Sequence, residues 1–261
     1  MRIDVASTLT VSSPVPATAL LQVALAAPES EDLVVRTDGV PVPVEEVAVP
    51  GARVHRLLLP AGDTTVEYRG CSTTGRLPRE VAPADQAEYV RPSRYCPSDQ
   101  LEGYAATEFD RSLPRAELVP AVAGWVHDRL VYTAGASRAV DTAVDTLLLG
   151  RGVCRDYAHL TITLLRALEV PARLVAVYAP GLSPMDFHAV VEADVDGVWR
   201  TVDATRLAPT SSLARICWGR DAADTAFLSL FGGQAQFRSM TVTATVDGAL
   251  PAPGDEPFPL P

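Results

Sequence analysis

The sequence predicts an α+β fold in which a helix that opens on a cysteine packs on an antiparallel sheet, with a β-rich module at the N-terminus. Three observations predict it. Residues 1 to about 70 carry short Val-rich and Leu-rich runs separated by turn signals. The middle of the chain shifts to helical periodicity. Strand-like runs return after residue 172, two of them joined by a hairpin signal.

In the first segment the turn signals are Thr37-Asp38-Gly39, Pro50-Gly51 and Ala61-Gly62-Asp63. The run Thr65-Val66-Glu67-Tyr68-Arg69 alternates apolar and polar side chains, as a half-buried strand does. A small antiparallel sheet or sandwich with a structural or positioning role is expected here. A polar linker, residues 72–78, follows. Pro97-Ser98-Asp99 reads as a helix start leading into residues 100–109, and Pro114 suits the first position of the next helix. In that helix Leu118, Val122, Trp125, Val126 and Leu130 mark an apolar stripe. A shorter helix is expected over 143–149, ended by Gly150. The Cys154 helix is expected to reach Leu168, with Ala158, Ile162, Leu164, Leu165 and Leu168 as its buried stripe. Strands are expected over 173–179, 187–193 and 198–202, with Asp194-Val195-Asp196-Gly197 turning between the last two, and again over 240–246. The Pro-rich stretch from Leu250 is expected to fray.

Composition narrows the function classes. The chain is 48% hydrophobic and 21% charged, which suits a globular protein. A formal net charge of -10 argues against nucleic acid or an anionic membrane as a general partner, because phosphate binding needs a basic surface. No run is long and apolar enough for a transmembrane helix, and the first residues read as a strand rather than a signal peptide, so a cytoplasmic location is expected. The chain contains no lysine and no asparagine. It therefore offers no lysine amine as an acyl acceptor or Schiff base, and no N-glycosylation site. Its four cysteines, Cys71, Cys96, Cys154 and Cys217, are expected to be free thiols, with none in a CxxC spacing.

The chemistry concentrates in three segments. Cys154 opens its helix in Gly150-Arg151-Gly152-Val153-Cys154-Arg155-Asp156, His188 sits on one strand and Asp203 at the end of the next. A helix N-terminus stabilises thiolate through its unpaired N–H groups. His188 and Asp203 can meet across the antiparallel pair if they face the same way. Thiol, base and orienting acid are the parts of nucleophilic acyl transfer. Asp156 works against this, since its charge opposes a thiolate. The Cys154 backbone N–H could donate to an oxyanion, with Trp125, Tyr157 or Trp218 as candidates for a second donor. Asp186 is expected to point away from His188, leaving Asp203 without a rival, and Arg151, Arg155 and Met185 also flank the site. His159, about 140° round the helix from Cys154, reads as packing or support. Cys154, His159, His188, Asp203 and Cys217 lack the close spacings of a metal set, so no metal or cofactor is expected. His127 is expected at the surface or an interface.

These segments resemble the transglutaminase-like superfamily of cysteine enzymes. The matching residues are Gly152-x-Cys154, Leu165-Arg166-Ala167-Leu168-x-x-Pro171-Ala172-Arg173, Phe187-His188-Ala189 and Trp199-x-x-Val202-Asp203-Ala204-Thr205. Residues 91–98 and 219–224 also resemble bacterial members of that group. The resemblance implies a papain-like α+β core with Cys154 as nucleophile, His188 as general base and acid, and Asp203 as orienting acid. It divides the chain into a β-rich module over 1–72, a catalytic domain over 73–249 and a tail over 250–261. It implies acyl transfer from amide or peptide bonds through a Cys154 thioester, with hydrolysis by a cysteine peptidase or amidase as the leading outcome. A peptide or protein acyl donor would be the partner. The alternatives are a protein-glutamine transglutaminase and a non-catalytic binding or scaffold protein on the same fold. No calcium-binding insertion is visible, so calcium activation is not carried over.

Overall fold

A computed structural model describes residues 1–73, 79–232 and 234–251; the expectations for most of the linker and for the tail beyond residue 251 lie outside these residues. Seven strands fill the first segment: β1 (Arg2–Ser13), β2 (Ala17–Leu21), β3 (Ser30–Thr37), β4 (Val40–Pro41), β5 (Val44–Val49), β6 (Ala52–Leu59) and β7 (Gly62–Thr73). Then come α1 (Pro83–Tyr89), α2 (Glu102–Glu108), α3 (Arg115–Arg129), β8 (Val131–Tyr132), α4 (Ala143–Leu149), β9 (Arg151–Gly152) and α5 (Cys154–Ala167). The remaining strands are β10 (Ala172–Tyr178), β11 (Phe187–Val195), β12 (Val198–Val202), β13 (Ala214–Gly219), β14 (Leu228–Phe231) and β15 (Gln236–Val246).

The sandwich expected at the N-terminus is present. One sheet runs β15-β1-β7-β3-β4 and the other β14-β2-β6-β5. Burial alternates along β1, so Ile3, Val5, Leu9 and Val11 enter the core between them with Leu21, Leu57 and Val66. Two of these strands come from the far end of the chain. β15 pairs with β1 and β14 with β2, although the sequence reading groups residues 228–246 with the helical segment. Period-two patterning fixes which face of a strand is buried and says nothing about its partner.

Around α5 the other half assembles as an α+β layer. The sheet β12-β11-β10-β13 is antiparallel throughout. The β11–β12 turn has Asp196 at φ 54° and Gly197 at φ 82°, the two positive values a type I′ hairpin needs, and Asp194 accepts the Gly197 N–H at 2.8 Å. Helix α4 ends at Gly150 in the left-handed region, φ 63°. The expected helix over 100–109 is interrupted: a 3-10 turn covers Ser98–Gln100, and Leu101 separates it from α2. Pro114, with ψ 146°, is the extended N-cap of α3 rather than its first helical residue.

Helix α5 departs most from expectation. Every residue from Asp156 to Ala167 is buried, not one stripe. Its threonines hide this in the sequence because they satisfy themselves on their own helix, and its Arg166 is satisfied by carbonyls from other segments. Thr161 and Thr163 donate to the carbonyls of Tyr157 and His159, at 2.8 and 2.7 Å. Arg166 donates to the carbonyls of Ala172, Arg91 and Arg220.

The sandwich is locked to the second sheet. Tyr178 of β10 reaches into it, donating to the Val23 carbonyl at 2.8 Å and meeting the Ser7 hydroxyl at 3.1 Å. Ala26 N–H and Trp218 N–H bond the carbonyls of Arg215 and Gly51. Gly51, at φ 83°, lies so close that a Cβ would sit 2.4 Å from the Trp218 carbonyl oxygen. Beneath this contact a fully buried ion cluster ties three strands. Arg173 donates twice to Glu192 at 2.6 and 2.8 Å, Arg215 bonds the same carboxylate, and the Arg173 guanidinium lies 4.0 Å from the Trp199 ring centre. Burial opposes the charge on Glu192, but the two guanidiniums outweigh it and hold the carboxyl below its usual value. Removing the acid would leave two buried cations uncompensated. Glu192→Ala is therefore expected to lower unfolding free energy by ~3–5 kcal/mol in urea titrations; a loss below about 1 kcal/mol would show that the cluster does not hold the sheet.

Candidate active site

Of the four free cysteines only Cys154 is not buried. Burial pushes Cys96 and Cys217 up to about 12, which keeps them as thiols. Cys154 lies at the one accessible end of α5, on a cavity of about 450 Å³ that also receives His188 and Asp186.

The start of α5 is organised by Asp156, which is fully buried. Its carboxylate accepts the Val153 N–H at 2.8 Å and the Ser137 hydroxyl at 2.5 Å, closing one half of a capping box. Arg155 donates to its other oxygen at 2.8 and 3.1 Å. The negative charge that the sequence sets against a thiolate is thus spent on a cation and on backbone N–H groups. The same carboxylate explains Gly152, since a Cβ there would stand 2.6 Å from the Asp156 Cβ and 2.7 Å from its Oδ2.

The structure brings His188 and Asp203 together. Imidazole Nε2 lies 2.7 Å from Asp203 Oδ2. A carboxylate can only accept, so Nε2 carries the proton and donates. Nδ1 makes no hydrogen bond among the described residues and is the nitrogen left for the thiol. Thr205 fixes the acid in turn, its N–H and hydroxyl bonding Asp203 Oδ1 at 2.9 and 2.7 Å in an Asx-type turn. His127, half-buried, holds the neighbouring Ala204 carbonyl at 2.9 Å and is a support of this loop rather than a surface group. Burial opposes charge on His188, but the Asp203 carboxylate and the adjacent Cys154 outweigh it and raise the imidazole to about 10. Burial likewise opposes the Asp203 anion, and His188 and Thr205 outweigh it, holding the carboxyl below its usual value.

Several expectations need correction. Asp186 does not point away from His188. Residues two apart on an extended chain share a face, and both line the cavity. Asp186 is already engaged by the Phe187 N–H at 2.7 Å, and Asp203 is the acid bonded to His188. Arg155 also lines the cavity, whereas Met185 packs in the apolar core. The three candidates for a second oxyanion donor are occupied elsewhere. Trp125 donates to Glu108, Tyr157 donates to the Leu130 carbonyl, and Trp218 packs against Arg79 and Arg173.

Sequence reasoning missed Tyr132. The two-residue strand β8 lies parallel to β9 with Tyr132 opposite Gly152, and this pairing carries the tyrosine to Cys154. Burial, with Cys154 alongside, raises its hydroxyl to about 12. A two-residue parallel bridge leaves no pattern from which it could be read. His159 proves to be a support. Burial lowers it to about 4, its Nε2 accepts the Ala222 N–H at 3.1 Å, and it stacks on Tyr95 at 5.2 Å. Tyr95 N–H in turn bonds Asp221 at 2.8 Å. The motifs at 91–98 and 219–224 therefore meet over α5 and place Tyr95 and Ala222 in the cavity wall. Among the described residues no group of three or more His, Cys, Asp or Glu side chains could hold a metal ion, and no helix is long and apolar enough to cross a membrane.

Comparison with known proteins gives the family. The model of the transglutaminase-like superfamily matches residues 104–204, the stretch from α2 through Asp203. A solved structure from Cytophaga hutchinsonii, named as a "putative cysteine protease", superposes with a TM-score of 0.85 at 33% identity, covering 99% of this chain and 93% of that one. Uncharacterized proteins of Mycobacterium leprae and Mycobacterium tuberculosis are 27% and 31% identical over 151 and 106 residues. The chain spans 53% and 33% of the lengths of these curated relatives. The chain belongs to the transglutaminase-like superfamily, and its mixed α/β architecture is that of the family's cysteine-protease-like members.

Two outcomes are expected from this geometry. His188 should titrate near 10 by NMR in the wild type and fall well below that in Asp203→Asn, where burial opposes the charge and only Cys154 still favours it. Because the folded-state value is raised, the stability from this pair is complete below pH 6.5 and is lost as pH rises through about 10. A wild-type His188 titrating at 6.5 would contradict a charged pair. Separately, Gly152→Ala should cost ~1–3 kcal/mol in denaturant unfolding, because the added methyl displaces the Asp156 cap; an unchanged midpoint would contradict that packing.

Proposed function

We propose that this chain is a thiol-dependent acyl-transfer enzyme acting on amide or peptide bonds through a thioester on Cys154, with hydrolysis as the normal outcome. The observation that carries the reading is the shared cavity. It holds one accessible thiol, at a helix N-terminus, together with a histidine whose Nε2 is held by a buried carboxylate and whose Nδ1 is unspent. Membership of the superfamily supports it.

In this mechanism the imidazolium and thiolate form the resting pair. Cys154 Sγ attacks the amide carbonyl carbon, and the carbonyl oxygen takes up negative charge. The Tyr132 hydroxyl, brought alongside Cys154 by the β8–β9 bridge, is the donor assigned to that oxygen. His188 passes its proton to the leaving amine as the C–N bond breaks, which leaves a thioester and a neutral imidazole. Water then adds to the thioester, giving up a proton to His188, and the acid departs as the Cys154 thiolate leaves, which restores the resting pair. Asp203 holds the ring and stabilises its cation throughout. An amine in place of water would make the same cycle a transglutaminase; water is favoured because it is the default acceptor and hydrolysis needs no second binding site.

The test is to incubate the protein with a peptide amide library and look for an acyl adduct by intact mass. An adduct on Cys154 that decays in water, faster than any amine product forms, is expected. Tyr132→Phe should slow adduct formation by ~10²-fold if its hydroxyl serves the oxyanion. A Cys154 that iodoacetamide labels no faster than Cys71 or Cys217 would defeat the catalytic reading and leave a binding role.

A further inference from the structure

The cavity beside Cys154 is walled mainly by apolar side chains, including Leu174, Phe187, Ile216, Phe227 and Leu228. The rings of Phe187 and Phe227 lie 5.4 Å apart. Gln22, just past β2, braces this wall from the sandwich. Its side-chain nitrogen donates to the carbonyls of Asp224 at 3.2 Å and Ala226 at 3.1 Å, and its N–H bonds the Phe227 carbonyl at 2.9 Å. One carboxylate opens onto the cavity. Asp186, directly before β11, lines it together with Cys154 and His188, and the residue is exposed, so a ligand in the cavity can reach it. Its Oδ1 accepts the Phe187 N–H at 2.7 Å, while Oδ2 has no hydrogen-bond or ion-pair partner among the described residues.

The charges around the cavity leave a negative excess. Arg155 is the one guanidinium among the lining residues, and the buried Asp156 carboxylate offsets it at 2.8 Å. The imidazolium and thiolate of the resting pair offset one another. The carboxylates of Asp203 and Asp186 remain. Asp203 has a side chain only 3% exposed and is spent on His188, which makes Asp186 the accessible negative charge. Burial of its inner side raises the Asp186 carboxyl above its usual value, against the pull of the Phe187 N–H and of His188. A cation placed beside Oδ2 would offset that burial.

From this arrangement we infer that Asp186 is a specificity residue for the acyl donor: its carboxylate receives a cationic nitrogen of the peptide, while an adjacent apolar side chain of that peptide occupies the space by Phe187 and Phe227. The cation is the peptide's own N-terminal ammonium or a basic side chain, since both present N–H donors on a positive charge. This inference rests on Cys154 being the acylated nucleophile. It gives the substrate a defined character, an acyl group that is apolar and basic at once. It also separates the two acids of the site. Asp203 holds the ring that moves the proton, and Asp186 selects what is brought to it.

The experiment uses the full chain and dipeptidyl chloromethyl ketones, which alkylate a thiol from the acyl-donor side. A leucyl-phenylalanyl compound is used with a free ammonium, with an acetyl cap and with a succinyl cap. An acetyl-lysyl-phenylalanyl compound is paired with its acetyl-norleucyl counterpart. Alkylation of Cys154 is followed by mass spectrometry as a second-order rate constant. Each charged probe is read as a ratio to its neutral counterpart, which cancels any change in the thiolate itself. In the wild type at least one cationic probe is expected to exceed its neutral counterpart by about three- to fivefold, the worth of one partly exposed ion pair, and the excess should shrink with added salt. In Asp186→Asn that ratio should fall to about one, and in Asp186→Lys the succinyl probe should become the fastest of its set. Whichever pair shows the excess, ammonium or lysyl, names the source of the cation. Equal rates for cationic and neutral probes in the wild type, or an excess that survives Asp186→Asn, overturns the inference. So does a wild type that prefers the succinyl probe, which would make Arg155 the recognising group. Should the variants fail to fold, the wild-type ratios decide: a salt-sensitive cationic excess supports the inference and flat ratios overturn it. If iodoacetamide labels Cys154 selectively and the ratios are flat, only the role of Asp186 falls. If no reagent prefers Cys154, the acyl-transfer reading falls with it.

Discussion

The buried carboxylate of Asp156 holds the start of helix α5, and the arrangement of the site follows from it. A helix enclosed on all sides can present a side chain only at its end, and that end must still satisfy its free N–H groups. Asp156 does so for Val153, and Arg155 takes up the remaining charge. Gly152 is required because nothing larger fits beside the carboxylate. Gly152 also anchors the short parallel bridge that brings Tyr132 to the thiol. One ion pair at a helix end thus sets the position of Cys154, the residues before it and the hydroxyl across from it.

A second set of contacts holds His188. His188 stands on a central strand of its sheet, and Asp203 follows directly after the edge strand beside it. Thr205 and His127 fix the loop that carries the acid, so imidazole and carboxylate meet without depending on a flexible side chain. The Arg173–Glu192–Arg215 cluster braces the same sheet further along. The rigidity of the site comes from these buried polar contacts.

Much of this was legible in the residues themselves. The order Cys154, His188, Asp203 could be read because each lies on a short element with a strong local signal: a glycine-bounded helix start, a Val-rich strand, a hairpin turn. Local signals also placed Gly150 as a helix end and Asp196-Gly197 as a tight turn. What escaped depends on distant packing. The burial of α5 was masked by threonines that bond their own helix. Tyr132 reaches Cys154 through a two-residue bridge, and Gln22 reaches the cavity from the end of a strand in the other half of the molecule. Asp186 was misplaced by an error of parity, since positions two apart on a strand share a side. The membership of β14 and β15 in the sandwich is a pairing across more than two hundred residues, and no local pattern encodes a partner at that distance.

That last pairing bears on how the molecule forms. Strand β1 is flanked by β7 on one edge and by β15 on the other, with Ile3 opposite Val246. During synthesis β1 and β7 are available early, while β15 arrives only after the whole α5 layer has been made. Until then β1 presents an open row of backbone donors and acceptors, the kind of edge on which chains aggregate. The sandwich can therefore close only late, after a loop that contains the entire cysteine-bearing segment, and such long-range closures are slow. Gln22 is held by the carbonyls of residues 224, 226 and 227, within the stretch leading to β14, so the cavity wall takes its final form only as the chain's two ends are joined. Maturation of the fold and completion of the cavity are in this sense one event.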